Sequence, residues 1–270
     1  MQLADLFDSF LIDLDGVIYV GDSPTYKAAQ VITKLTKAGK EVIFITNDPR
    51  RSSVGYCKKL KSIDINIPAN YIVTSASALS RHIETKYNTK SKTAFVVGSD
   101  NLKKEVQRTG LKLITKISKV NSDFVIVGGH NKVDYNDIKK ATLCIRAGAK
   151  FFATNNDPYY PTHEGLVPAT GALVAAIETA SSAKATVVGK PKRIMFDIAK
   201  NLLSSNKKVA VIGDRLDTDI AGGKRAGCST ILSLTGSTKA EEIKSSKTKP
   251  DFVIRDLSFL YKDSEISAYK

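Results

Sequence analysis

The sequence predicts an α/β protein built on an open parallel sheet. Short apolar runs that end in polar residues alternate with helical segments along the chain. The first such unit is a strand at Phe10–Leu14, a helix at Thr25–Ala38 and a strand at Val42–Thr46. The helix carries apolar residues on one face, and Gly39 marks its end. Strand, helix and strand in this order form a βαβ unit, whose two strands run parallel.

The alternation restarts in the middle of the chain. Strand-like and helical segments alternate there over Phe95–Gly98, Leu102–Thr109, Phe124–Gly129, Tyr135–Ala147, Phe151–Thr154 and Gly171–Ala180. None of the polar strand ends described below falls inside this block, which is typical of one domain inserted into another. We therefore predict a discontinuous core domain at 1–78 and 186–270, with a smaller α/β domain inserted at 79–185.

Composition indicates an ordinary globular protein. The 270 residues are 42% hydrophobic and 25% charged. No apolar run approaches the ~20 residues that cross a bilayer, and the N-terminus lacks a signal-peptide pattern. The three cysteines, Cys57, Cys144 and Cys228, are odd in number and far apart, which fits neither a disulfide framework nor a zinc site. A cytoplasmic location is the expectation.

The chain is strongly basic, with a formal net charge of +14. The excess is spread over two thirds of the chain, without a block of five or more Lys and Arg. No RNA-binding motif with interleaved aromatic residues is visible either, so a nucleic-acid partner is disfavoured. A basic surface instead steers small anionic substrates towards a site.

Four apolar runs end in residues able to carry chemistry. The strand ends are Asp13-Leu14-Asp15-Gly16, Thr46-Asn47, Gly189-Lys190-Pro191 and Gly213-Asp214-Arg215-Leu216-Asp217-Thr218-Asp219. One parallel sheet containing all four strands would gather these residues at its carboxyl edge. Asp13 and Asp15 repel each other there unless a cation lies between them or one carries a proton. Gly16 allows a sharp turn close to a bound group.

This order of Asp-x-Asp, Thr, Lys and Gly-Asp-x-x-x-x-Asp resembles the haloacid dehalogenase superfamily of phosphohydrolases. Leu14-Asp15-Gly16-Val17-Ile18-Tyr19 and the segment 213–220 are similar to its NagD-like and 4-nitrophenyl phosphatase branch. The resemblance implies a Rossmann-like core with an inserted α/β cap domain. It also implies a Mg²⁺-dependent hydrolase of small phosphorylated metabolites such as phosphoglycolate, glycerol phosphate or pyridoxal phosphate.

The resemblance also implies catalytic roles. Asp13 would attack phosphorus to form an aspartyl-phosphate, and Asp15 would protonate the leaving group and later activate water. Thr46 would donate its hydroxyl to the phosphate, and Lys190 would pair with both the phosphate and Asp13.

The implied Mg²⁺ ligands are the carboxylate of Asp13, the backbone carbonyl of Asp15 and the carboxylate of Asp214. Asp219 would orient a metal-bound water from a second layer of contacts. Asp217 falls outside the matched spacing.

Implied substrate-binding residues flank this centre. Gly16 and the backbone N–H of Asn47 would lie beside the phosphate. Asn155, Asp157 and Tyr160 belong to a loop similar to the branch's substrate-facing cap loop, which would exclude water and select the leaving group. The neighbouring His163 is not needed as a catalyst, because Asp15 already fills the acid–base role.

One segment departs from the family pattern. Asp48-Pro49-Arg50-Arg51-Ser52 follows Thr46-Asn47, which adds an acidic side chain near the phosphate that Arg50 and Arg51 could offset. The alternative function is a catalytically silent protein that binds phosphometabolites or nucleic acid on the same fold. The intact set of Asp13, Asp15, Lys190 and Asp214 argues against it. The resemblance also makes a homodimer an expectation.

Overall fold

The computed structural model of the chain describes residues 2–114, 121–129, 132–162, 164–204 and 208–262. Within these ranges the strands are β1 Ser9–Asp13, β2 Tyr19–Val20, β3 Ser23–Pro24, β4 Glu41–Thr46, β5 Ile72–Thr74, β6 Thr93–Val97, β7 Lys112–Leu113, β8 Phe124–Val127, β9 Lys150–Ala153, β10 Tyr159–Thr162, β11 Gly165–Pro168, β12 Thr186–Val187, β13 Val209–Gly213, β14 Ser229–Ser233 and β15 Phe252–Ile254.

The α-helices in the same ranges are α1 Ala28–Lys37, α2 Ser53–Lys61, α3 Ser75–Lys86, α4 Asp100–Arg108, α5 Tyr135–Arg146, α6 Thr170–Ser181, α7 Arg193–Lys200, α8 Ala221–Arg225 and α9 Ala240–Ser245. Short 3₁₀ turns occur at Leu3–Leu6, Ala69–Tyr71 and Leu257–Tyr261, and a π-type turn occurs at Leu216–Ile220. Every helix in the described ranges is too short or too polar to span a bilayer.

The chain divides into two compact units. The first consists of the described parts of Met1–Thr46, Ser53–Val73 and Lys190–Lys270, and the second of Asn47–Ser52 and Thr74–Gly189. The predicted α/β class with parallel sheets and flanking helices is confirmed. The predicted domain boundaries at 78 and 185 stay a prediction.

The first unit is built on a six-stranded sheet in the order β15-β14-β13-β1-β4-β5. β1 pairs in parallel with β13 on one side and β4 on the other. All five residues of β1 are buried, as the continuous apolar run Phe10–Ile12 predicts for a strand covered on both faces. The carboxyl ends of β1, β4 and β13 therefore lie side by side.

Helix α1 covers part of this sheet through buried residues spaced three or four apart: Ala28, Val31, Ile32 and Leu35. It begins three residues later than the predicted Thr25. The Thr25 hydroxyl instead donates to the Val17 carbonyl (2.6 Å) and so supports the turn that follows β1.

The second unit contains a five-stranded sheet in the order β12-β9-β8-β6-β7 and the antiparallel hairpin β10–β11. The neighbouring strands of the five-stranded sheet pair in parallel. The expectation that the strand before Gly189-Lys190-Pro191 shares a sheet with the other three site strands is wrong. β12 instead pairs with Phe152 and Ala153 of β9, and the Gly189 N–H continues the ladder to the Thr154 carbonyl (2.7 Å).

The sequence Asp-Phe-Val-Ile occurs once in each unit, at 123–126 and 251–254, with the same structural role. Asp123 accepts hydrogen bonds from the backbone N–H and hydroxyl of Thr93 (2.8 and 3.0 Å), and Asp251 does so from Thr230 (2.8 and 2.7 Å). Each aspartate also pairs with a lysine, Lys92 or Lys224. Each therefore ties an entering strand to its parallel neighbour.

Candidate active site

A buried cluster of charges lies at the carboxyl ends of β1 and β13. Asp13 is the last residue of β1, and Asp214 directly follows β13. The Lys190 ammonium donates to Asp13 Oδ1 (2.5 Å) and to Asp219 Oδ1 (2.7 Å). The side chains of Lys190, Asp13 and Asp219 are only 4%, 8% and 0% exposed. These four predicted site residues are therefore brought together, although Lys190 does not follow a strand of the same sheet.

Burial and charge act against each other in this cluster. Burial raises the pKa of Asp13 well above its usual value, and Lys190 opposes that rise without cancelling it. Burial alone would lower the pKa of Lys190, but the attraction of Asp13 and Asp219 outweighs burial and holds it above the usual value. Lys190 is therefore a fixed positive charge. It is shared between two carboxylates, so the cluster keeps an excess of negative charge when they are ionised.

Asp214 lies in a tight backbone cradle. The Ser237 N–H donates to its Oδ2 (2.6 Å), and the Thr238 N–H donates to its carbonyl (3.2 Å). A Cβ added at Gly16 or at Gly236 would collide with the Asp214 carboxyl group. These two glycines therefore let two backbone segments approach the carboxylate closely.

The other oxygen of Asp214 is buried and has no hydrogen-bond partner within the described ranges. Burial, followed by repulsion from Asp219, raises the pKa of Asp214 to about 6 despite the opposing contacts from Ser237. Carboxylate oxygens of Asp13, Asp214 and Asp219 all lie within 4.8 Å of one another. Hard oxygen donors with uncompensated negative charge suit a divalent cation such as Mg²⁺, so the residues present fit this ion.

The sequence interpretation missed the segment 235–238, which forms one side of this cradle. The Thr235 hydroxyl also donates to the Gly16 carbonyl (2.6 Å), which fixes the turn after Asp15. These polar residues follow β14, the strand next to β13. The rule applied to the four other strand ends would have found them, because they too lie at a carboxyl edge.

Asp15 differs from Asp13 in its surroundings. It is exposed and begins a turn in which Gly16 has a φ of +85°, in the left-handed region that favours glycine. The carboxyl group of Asp13 is thus buried and that of Asp15 is exposed to solvent, an arrangement that lets two acids serve different roles.

Thr46 is the last residue of β4 and is 2% exposed.

Asp217 stands apart from the cluster. Its side chain is 67% exposed and pairs with Arg215 (2.8 Å). Asp219 accepts from the Arg215 N–H (3.2 Å) through the oxygen that does not bind Lys190. The π-type turn at Leu216–Ile220 thus directs Asp219 inwards and leaves Asp217 at the surface.

Three predicted substrate-binding residues of the second unit contact one another. The Asn47 side-chain amide donates to Asp157 (3.0 Å), and the Asn155 amide donates to the Asn47 carbonyl (2.8 Å). The Asn155 oxygen accepts from the Asp157 N–H (3.1 Å). Asn155 is 3% exposed and uses both polar atoms within this network. These contacts join the segment 47–52 to the loop after β9.

In the segment 48–52, which departs from the family pattern, the charge of Asp48 is compensated by Arg50. Asp48 accepts from the Arg50 backbone N–H (2.9 Å) and from two guanidinium nitrogens (2.8 and 3.1 Å). The Arg50 guanidinium also lies over the Tyr160 ring, 4.9 Å from its centroid. Arg50 therefore supplies at least part of the positive charge that was expected to offset Asp48. His163 lies outside the described residues.

The chain is similar to known proteins over most of its length. Residues 10–112 match the haloacid dehalogenase-like hydrolase family, and residues 187–260 match the HAD-hydrolase-like family. An acid sugar phosphatase from Staphylococcus haemolyticus is 32% identical over 98% of this chain and 99% of its own length. A 5′-nucleotidase from Bacillus subtilis is 30% identical over 93% of this chain and 96% of its own.

Solved structures show the same fold. A glycerol phosphate phosphatase from Mycobacterium tuberculosis, in complex with magnesium, has a TM-score of 0.89 and 31% identity over 97% of this chain and 79% of that one. A 4-nitrophenylphosphatase from Thermotoga maritima has a TM-score of 0.88 and 31% identity over 96% and 98%.

The chain therefore belongs to the haloacid dehalogenase-like hydrolases. Within that family it falls in the NagD-like branch, and it is a phosphatase, a hydrolase of phosphoric monoesters.

Proposed function

We propose that this protein is a Mg²⁺-dependent phosphatase that hydrolyses small phosphorylated metabolites through a phosphorylated Asp13. The observation that carries the proposal is the buried cluster of Asp13, Lys190, Asp214 and Asp219, with one oxygen of Asp214 lacking a protein partner in the described ranges. A cluster with this excess of buried carboxylates needs added positive charge, which a divalent metal ion would supply.

Asp13 is the nucleophile of the proposed reaction. One of its carboxylate oxygens attacks phosphorus, a P–O bond forms, and the bond to the leaving alcohol oxygen breaks with both electrons going to that oxygen. Asp15 gives the alcohol its proton. In the second step Asp15 takes a proton from water, whose oxygen attacks phosphorus and displaces the Asp13 carboxylate, releasing inorganic phosphate.

The remaining residues supply charge and orientation. Lys190 offsets the charge that Asp13 and the phosphate bring together, and Asp219 holds Lys190 in place. Thr46 and the Asn47 N–H donate to phosphate oxygens. Asp13, the Asp15 carbonyl and Asp214 would hold Mg²⁺, which when bound draws the phosphate towards Asp13 and stabilises its developing charge.

The proposed substrates are small phosphate esters rather than phosphorylated macromolecules. The relatives include an acid sugar phosphatase, a D-glycerol 3-phosphate phosphatase and a 5′-nucleotidase. In our proposal the inserted domain at 79–185 restricts the leaving group, and Asn155, Asp157 and Tyr160 contact or shape its site. A panel of phosphoglycolate, glycerol phosphate, pyridoxal phosphate, sugar phosphates and nucleoside monophosphates tests this choice.

We also propose a cytoplasmic location, a homodimeric assembly and no nucleic-acid partner. Three free cysteines, two of them buried, fit a reducing compartment. Sedimentation velocity tests the assembly, and a salt titration on immobilised DNA tests the charge-based alternative. Retention that persists at physiological salt would favour a nucleic-acid role instead.

The direct test of the function is hydrolysis of 4-nitrophenyl phosphate with Mg²⁺ and with EDTA. Wild type should need the metal, and Asp13→Asn should lose activity by ~10³-fold or more, as expected for removal of a nucleophile. Asp217→Asn is the matched control, because this exposed carboxylate lies in the strand-end segment of Asp214 and Asp219 yet stands outside the cluster. Wild-type activity in Asp13→Asn would overturn the proposal.

A further inference from the structure

A short hairpin directly follows the turn that carries Asp15. Its strands β2 and β3 pair Tyr19 with Pro24 and Val20 with Ser23. The turn at Asp15 and Gly16 is bonded to Tyr19. The Gly16 N–H donates to the Tyr19 carbonyl (2.8 Å), and Asp15 forms an isolated β-bridge with Tyr19. The Tyr19 N–H in turn donates to the Leu14 carbonyl (3.3 Å). The position of Asp15 is therefore coupled to that of Tyr19 through the backbone.

A lysine from helix α2 fastens this hairpin. The Lys59 ammonium donates to the Gly21 carbonyl at the hairpin tip (2.8 Å) and lies over the Tyr19 ring, 3.7 Å from its centroid. It also lies 3.6 Å from the Asp22 carboxylate. One side chain thus contacts both the tip of the hairpin and the ring at its base.

These contacts differ in strength. Asp22 is fully exposed, so its pairing with Lys59 is screened by solvent and contributes little. The Tyr19 ring is 1% exposed and the Lys59 side chain 18%, so the cation–π contact is largely shielded from water. Lys59 itself is held on a helix anchored in the core by Tyr56 and Leu60, both buried. The lysine therefore connects a rigid element to the hairpin.

We propose that Lys59 is a positioning residue for the leaving-group acid, acting through Tyr19 on the turn that carries Asp15. This inference rests on the proposed function, in which Asp15 protonates the leaving alcohol. Proton transfer requires heavy atoms within about 2.6–3.2 Å of each other. Asp15 lies in the turn whose backbone is bonded to Tyr19, so a shift of the hairpin that Lys59 holds also shifts Asp15.

Leaving-group dependence separates this role from a general structural one. 4-Nitrophenolate is a good leaving group and needs little protonation, whereas an alkoxide leaves only with its proton. The parameter kcat/KM reports the step in which the leaving group departs, before water attacks the phosphorylated enzyme. A misplaced Asp15 therefore lowers kcat/KM for an alkyl phosphate far more than for 4-nitrophenyl phosphate.

The test compares Lys59→Met with wild type on 4-nitrophenyl phosphate and glycerol phosphate, both with Mg²⁺. Methionine keeps the apolar stem and removes the ammonium. We expect kcat/KM to fall by ~10-fold or more for glycerol phosphate and by less than ~3-fold for 4-nitrophenyl phosphate, within the range that general acids supply. Lys58→Met is the matched control, since Lys58 is exposed on the same helix, and both ratios should stay at wild type.

A second variant keeps the test decisive if Lys59→Met folds poorly. Lys59→Arg retains a cation that can donate to the Gly21 carbonyl and stack on Tyr19, so it should restore most of the glycerol phosphate activity. Equal losses on both substrates, or no loss on either, would overturn the positioning role while leaving the phosphatase intact. A wild type that hydrolyses neither substrate would instead overturn the proposed function, and this inference with it.

Discussion

Lys190→Met should be among the most destabilising single substitutions at this site. The ammonium lies 2.5 Å from Asp13 and 2.7 Å from Asp219, and the three side chains are at most 8% exposed. Methionine fills most of the volume but leaves two buried carboxylates without their shared cation. The gross attraction of one such pair is about 6–7 kcal/mol at an effective dielectric constant of 20.

The net cost follows from what remains after the charge is removed. Breaking a buried ion pair by deleting one partner destabilises a protein by about 3–5 kcal/mol, because the other charge stays buried and uncompensated. For a chain of this size, that corresponds to a fall in melting temperature of roughly 6–20 °C. Protonation of a carboxyl relieves part of the repulsion, so the deficit should shrink as the pH falls from 7.5 towards 5.

The assay is urea unfolding followed by circular dichroism, in EDTA so that no metal replaces the lost charge. Lys224→Met is the matched control, because the Lys224–Asp251 pair has a similar distance (2.9 Å) but both side chains are 40% exposed. That exposed pair should contribute less than about 1 kcal/mol. A deficit for Lys190→Met no larger than that of the control would refute the account of the buried cluster.

Three further predictions concern single contacts. Gly236→Ala places a methyl group against the Asp214 carboxyl, so the Mg²⁺ concentration that gives half-maximal activity should rise by ~10-fold or more, a cost of about 1.4 kcal/mol in metal binding. Burial raises the pKa of Asp251, but the contacts from Lys224 and Thr230 outweigh burial and lower it. The ionised carboxylate therefore stabilises the fold fully above about pH 4. In a series of thermal melts, the difference in melting temperature between wild type and Asp251→Asn should shrink as the pH falls below that value. Asn155→Ala removes a buried amide that donates a hydrogen bond through its nitrogen and accepts one through its oxygen. The substitution should lower the free energy of unfolding by about 1–3 kcal/mol.

Most of the site was predictable because the strands that carry it can be recognised from short continuous stretches of sequence. β1, β4 and β13 are apolar runs followed at once by polar residues, so their carboxyl ends could be located from the chain alone. The boundaries of β1 and β4 differ from the prediction by one residue at most: the strand predicted at Phe10–Leu14 is found at Ser9–Asp13, for example. Burial on both faces explains why the apolar signal in these strands is continuous.

The sheet to which β12 belongs was not predictable in the same way. Its two paired residues, Thr186 and Val187, are apolar or β-branched and would fit either sheet. Pairing with β9 depends on contacts between distant parts of the chain, which a local pattern does not encode. The same holds for the start of α1, where Thr25 forms a tertiary hydrogen bond to Val17 instead of entering the helix.

The phosphorylated Asp13 is the central claim, and Asp15→Asn gives the most direct test of it. With 4-nitrophenyl phosphate the leaving group needs little protonation, so the first step should proceed while attack by water is slowed. We predict a burst of nitrophenolate equal to the enzyme concentration, followed by slow turnover, with the phosphoryl group found on Asp13 by mass spectrometry after acid quenching. Release without a burst, or a phosphoryl group on any other residue, would contradict covalent catalysis by Asp13.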